Sequence, residues 1–172
     1  MRENTFGAIF AEILNKMRPS AVAWIRGSES QPQLNGVVKF YDTDYDGVLV
    51  EAEVFGLPNI RRKGATNYYA MHIHENGDCT PPFDRTGAHY SKMPEMHPQH
   101  SGDLAPLLGN QGYAWSAFYD SRITIDEIIG RSVIIHAQPD DFTTQPSGNS
   151  GEKIGCGVIY PEEMTNRKTS TR

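Results

Sequence analysis

From Ala21 to Tyr160, apolar and polar side chains alternate with a period of two in short segments, and no strong helical pattern separates them. A period of two places successive side chains on opposite faces of a strand. The spacing predicts strands over Ala21–Arg26, Gly36–Tyr41, Val48–Phe55, Asn67–His74, Gly112–Tyr119, Arg131–Ala137 and Ile154–Tyr160, with a short segment at Arg122–Ile125. Gly36–Tyr41 and Val48–Phe55 flank the turn Asp42–Gly47 and read as a hairpin. A run of about eight strands without intervening helices predicts an all-β fold, an antiparallel sandwich or barrel. The exception comes first in the chain. Phe6, Ile9, Phe10, Ile13, Leu14 and Met17 recur at helical spacing until Pro19, which predicts a short amphipathic helix docked on the domain.

At 172 residues, 38% of them hydrophobic, the chain fits one domain with a proper core. The expected division is a helical extension over 1–19, a β-domain over 20–162 and a tail over 163–172. A formal net charge of −5 argues against nucleic acid, whose binders carry a basic face. The basic residues Arg167, Lys168 and Arg172 lie in the expected tail. No apolar run approaches the roughly 20 residues of a membrane-spanning helix. Arg2, Glu3 and Glu12 make the N-terminus a poor secretory signal, so the expectation is a cytoplasmic chain. Cys79 and Cys156 allow one disulfide and no four-cysteine metal site, and thiols in a cytoplasmic protein are more often free than paired.

Two stretches, 75–111 and 138–153, have little regular pattern and many Gly and Pro residues. Structureless loops of that length are uncommon in a compact domain and are usually functional. Histidines offer a reason for both. Five of the six, His72, His74, His89, His97 and His100, fall at the end of one strand and along the first loop. His72 and His74 leave the same face of a strand, as a clamp for a transition metal or as a chance surface pair. His89, His97, His100 and Asp103 offer three imidazoles and a carboxylate, the donor set of a tetrahedral zinc site. Metal binding there would also order a loop that has no secondary structure to hold it. His136, after three apolar residues, reads by itself as a core histidine.

The segments Met71–Asp78 (MHIHENGD), Thr86–Tyr90 (TGAHY), His100–Leu104 (HSGDL), Ile128–Ala137 (IIGRSVIIHA) and Gly148–Ile159 (GNSGEKIGCGVI) resemble the copper/zinc superoxide dismutase signatures, in family order. The resemblance covers residues 20–160 and looks closest to the variant of Gram-positive bacteria. It implies an eight-stranded Greek-key β-barrel with two long functional loops. It implies copper on His72, His74, His89 and His136, zinc on His89, His97, His100 and Asp103, and His89 shared between them. Asp140 would hydrogen-bond ligand histidines of both sites, and Cys79 and Cys156 become a plausible disulfide. The implied activity is dismutation of superoxide, with His89 and Lys153 as the catalytic residues, no nucleic-acid or membrane partner, and a homodimer as one assembly. A zinc-only, non-enzymatic relative is the alternative. A copper chaperone of this family would need a Cys-x-x-Cys module that the chain lacks.

Three positions depart from the family pattern. Lys153, preceded by Glu152, stands where an arginine usually draws in the substrate anion, and lysine lacks the planar fork of donors. The loop 138–153 is short and lacks the extra charges of many eukaryotic relatives, which predicts weaker steering. Ala70 stands where a glycine often precedes the H-x-H strand.

Overall fold

In the computed structural model, residues 5–61 and 66–162 are described. The tail expected over 163–172, with its basic residues, lies outside them. The alternating segments form nine strands: β1 (Ala21–Gly27), β2 (Asn35–Asp42), β3 (Val48–Phe55), β4 (Tyr68–Tyr69), β5 (Met71–His74), β6 (Leu107–Leu108), β7 (Tyr113–Asp120), β8 (Ser132–His136) and β9 (Lys153–Pro161). Seven of them make one antiparallel sheet in the order β5-β8-β9-β1-β2-β3-β7, while β4 and β6 pair separately. The sheet curls into a Greek-key barrel. Alternation sets its inside: Val48, Val50, Ala52 and Val54 of β3 join Val38 and Phe40 of β2 and Ala21, Ala23 and Ile25 of β1 in the core.

The helix α1 (Phe6–Lys16) begins at Thr5, whose hydroxyl accepts from the Ala8 N–H, and covers part of the outer face. Ile13 is buried against Tyr41 and Leu49, and the Phe10 ring stacks on Tyr119 with centroids 5.3 Å apart. Leu49 faces away from the barrel core, so α1 buries an apolar residue that the alternation alone would leave wet.

Two segments depart from the sequence pattern. Asn67–His74 is broken at Ala70, whose N–H donates to Gln138 O and whose carbonyl accepts from His136 N, so the chain leaves one pairing for another. Arg122–Ile125 forms no strand. Glu127 Oε2 accepts from both the N–H and the hydroxyl of Thr124, a capping box that starts the one-turn helix α2 (Ile125–Ile128).

Cys79 and Cys156 are joined in a disulfide, not left as free thiols. Phe83 and Ile134 pack around it, tying the loop after β5 to β9. The bond closes a segment of 77 residues. A loop of that length limits the unfolded chain strongly, so Cys79→Ser combined with Cys156→Ser should lower unfolding stability by about 2–5 kcal/mol. Urea unfolding of the double variant against the parent, both metal-free, measures this. A loss below about 0.5 kcal/mol would contradict the assignment of the bridge as a main staple of the loop.

Candidate metal centre

Strand pairing creates the first half of the site. His72 and His74 flank Ile73, whose side chain enters the core, so both imidazoles lie on the outer face of β5. Pairing of β5 with β8 sets His72 opposite Ile134, and two residues further along β8 His136 shares that outer face. The loops after β5 and β8 fold over this face and bury it. His72, His74, His89 and His136 each bring one nitrogen into a group whose donor atoms lie within 4.8 Å of one another. His89, His97, His100 and Asp103 make a second such group. His89 is common to both.

Five of the six rings, all but His100, are held by one nitrogen and present the other. His74 Nδ1 is hydrogen-bonded to Gly87 O at 2.9 Å, and His136 Nδ1 to Gly151 O at 3.2 Å. Asp140 takes two rings, His72 Nε2 on Oδ2 and His97 Nε2 on Oδ1, both at 2.8 Å. One carboxylate thus spans the two groups. Gly148 lets this happen. A Cβ there would come within 2.0 Å of Asp140 Oδ1 and 2.6 Å of His97 Nε2.

The remaining nitrogens are the informative ones. His72 Nδ1, His74 Nε2, His89 Nε2, His97 Nδ1, His100 Nδ1 and His136 Nε2 are buried with no hydrogen-bond partner. His97 Nδ1 and His100 Nδ1 each lie 3.1 Å from Asp103 Oδ2 without the alignment of a hydrogen bond. Among buried polar groups such orphans are rare, and each costs about 1–3 kcal/mol unless something binds it. A cluster of them, all converging, fits transition-metal cations. Histidine-only donors on one side suit copper, and three imidazoles with a carboxylate on the other suit zinc.

Burial also keeps these rings in the form that binds metal. It pushes His74 down to about 2 and His136 down to about 3, and it lowers His72 as well, so all three are neutral near pH 7. Burial pulls Asp140 upward, but hydrogen bonds from His72, the Phe142 N–H and His97 outweigh it and hold the carboxyl down to about 2. Asp140 is therefore an anion that accepts from both rings.

Lys153 lies at the rim, at the start of β9 and paired in register with His136. Its Nζ donates to Thr86 Oγ1 at 2.9 Å and reaches Phe83 O at 3.4 Å and Gly87 O at 3.5 Å. The neighbouring Glu152 points elsewhere, accepting from Ser30 Oγ at 2.8 Å. A cavity of about 650 Å³ opens here, lined among others by Ser30, Asp84, Glu152 and Lys153.

Several supports have no signal in the sequence. The carbonyls of Gly87 and Gly151 orient two histidines, and no side-chain pattern marks a carbonyl. Arg122 braces the loop of the second group by donating to His100 O and Asp103 O, while Asp120 Oδ1 and Oδ2 hold its guanidinium.

An antiparallel barrel with two adjoining histidine-rich groups that share one imidazole defines a two-site metalloprotein. The comparisons with known proteins take this to a family. The copper/zinc superoxide dismutase profile matches residues 34–159. A superoxide dismutase [Cu-Zn] of Paramecium bursaria Chlorella virus 1 is 32% identical over 168 residues, covering 87% of this chain and 83% of the relative. The extracellular superoxide dismutase [Cu-Zn] of Mus musculus is 31% identical over 153 residues, covering 84% of this chain and 59% of the relative. The chain thus spans about three fifths of the length of such extracellular relatives. A crystal structure of the clock protein EA4 superposes with a TM-score of 0.70 at 27% identity, covering 83% of this chain and 95% of that one. The chain belongs to the copper/zinc superoxide dismutase family.

One expectation changes accordingly, and another gains no support. The cytoplasmic assignment is overturned, because the mouse, rabbit, rat and human relatives are extracellular enzymes and the two cysteines here form a disulfide. Such bonds persist in oxidising compartments. The relatives named are animal and viral proteins, so they lend no support to a special likeness to the Gram-positive variant.

Proposed function

We propose that this protein is a superoxide dismutase, converting two superoxide anions and two protons into oxygen and hydrogen peroxide. The observation that carries the reading is His89, whose Nε2 is an orphan and whose Nδ1 sits 2.7 Å from Asp103 Oδ1 in the second group. When bound, copper would supply one-electron redox chemistry and zinc a fixed positive charge. His72, His74, His89 and His136 would hold the copper, and His89, His97, His100 and Asp103 the zinc. His89 Nε2 would take up a proton in one half of the cycle and release it in the other, with Nδ1 keeping the ring in place. Asp140, by accepting from His72 and His97, would fix two ligand rings at once. Lys153 would supply the local positive charge that draws an anion to a protein of formal charge −5.

The complete set of orphan nitrogens around His72, His74 and His136 weighs against a zinc-only binding role, which would not need them. The disulfide and the extracellular relatives support work in an oxidising compartment. A homodimer, with no nucleic-acid or membrane partner, completes the reading; the acidic net charge supports the lack of a nucleic-acid partner. The test is dismutation by purified protein reconstituted with copper and zinc, alongside protein loaded with zinc alone. Activity is expected only with copper. A preparation with both metals bound and no dismutation would refute the enzyme.

A further inference from the structure

The lysine at position 153 is held unequally by its three acceptors. Both carbonyls, Phe83 O and Gly87 O, lie near the outer limit of hydrogen bonding, at 3.4 and 3.5 Å, whereas Thr86 Oγ1 is at 2.9 Å. Thr86 is fully buried, so its hydroxyl is not a solvated surface group that happens to lie nearby. Its own proton goes to Phe83 O at 2.7 Å, which leaves the oxygen lone pairs facing the ammonium. Phe83 is in turn packed against the Cys79–Cys156 bridge. The result is a chain from disulfide to carbonyl to hydroxyl to ammonium.

This matters because lysine and arginine are anchored differently. A guanidinium offers five donors in a rigid fork, while an ammonium on a four-carbon stem needs a close acceptor to keep it from swinging. Here the close acceptor is a threonine hydroxyl. We infer that Thr86 is the positioning residue that holds the Lys153 ammonium beside His74 and His136, and so sets anion attraction to the site. The inference rests on the proposed dismutase reading for its consequence, but its geometry does not depend on it.

Thr86→Val keeps the shape of the side chain and removes the hydroxyl. In protein loaded with copper and zinc, it should bind both metals as the parent does, yet lose about tenfold in superoxide rate at low ionic strength. Its affinity for azide, a small anion used as probe and followed by visible absorption, should fall by a similar factor. Thr86→Ser, which restores the acceptor, should fall less than about twofold in both. The double variant T86V/K153R should recover most of the T86V loss, because the arginine fork reaches the two carbonyls without the hydroxyl. If Thr86→Val keeps parental azide affinity with both metals bound, the inference is wrong. It is also wrong if Thr86→Ser loses as much as Thr86→Val. Should the valine variant fold poorly, Thr86→Ala carries the same comparison with serine. A parent protein that binds azide but dismutates nothing would sink the function and leave the positioning of Lys153 to be judged on azide alone.

Discussion

His89→Ala is expected to lower superoxide dismutation by at least about 1,000-fold, equivalent to roughly 4 kcal/mol in the barrier. Alanine removes a donor from both groups at once and the proton site at His89 Nε2. The other donors, His72, His74 and His136 on one side and His97, His100 and Asp103 on the other, remain, so each site keeps three. Copper and zinc should therefore bind more weakly without being abolished, and the loss should be largest in turnover. Metal analysis beside the rate assay separates the two effects. A variant that retains both metals and more than a tenth of parental activity would show that no shared imidazole is needed.

Removing the metals should have the largest effect on stability. The metal-free protein keeps His72 Nδ1, His74 Nε2, His136 Nε2 and their neighbours buried without partners. Bound metal satisfies them, and binding free energy at a site that exists only in the folded state adds to folding free energy. With about 10 kcal/mol from a closed zinc site and roughly 2–4 °C per kcal/mol for a chain of this size, chelation should lower Tm by about 20–40 °C. Calorimetry of chelated and reloaded samples measures it. Hydrogen exchange should place the loosening in the loops after β5 and β8, leaving β1, β2 and β3 protected. A shift below about 5 °C would mean that the two groups of histidines are not metal sites of structural weight.

The strands of the barrel were legible because a period of two survives any tertiary context that has one wet face and one dry one. Val48, Val50, Ala52 and Val54 announce their own inward face. Legibility failed where local chemistry competed with that pattern, as at Thr124 and Glu127, whose mutual hydrogen bonds start a helical turn where apolar spacing indicated a strand. It failed again on compartment. Charged residues near the start of the chain point to the cytoplasm, but the two cysteines are 77 positions apart, and a one-dimensional reading gives no distance between their sulfurs.

The same division runs through the metal centre. Residue type and spacing marked His72 with His74, and His89, His97, His100 and Asp103, as candidate donors, since only a few side chains bind such cations, whereas His136 and Asp140 entered only through the resemblance to a family. Which nitrogen each ring offers was decided only by folding, because it depends on where Gly87 O, Gly151 O and the Asp140 oxygens lie. So was the seat of Lys153 on Thr86, between residues 67 positions apart. Side-chain chemistry is carried by the sequence one residue at a time. The direction in which that chemistry points is a property of neighbours brought together by the barrel, and no neighbour in space is written next to it in the chain.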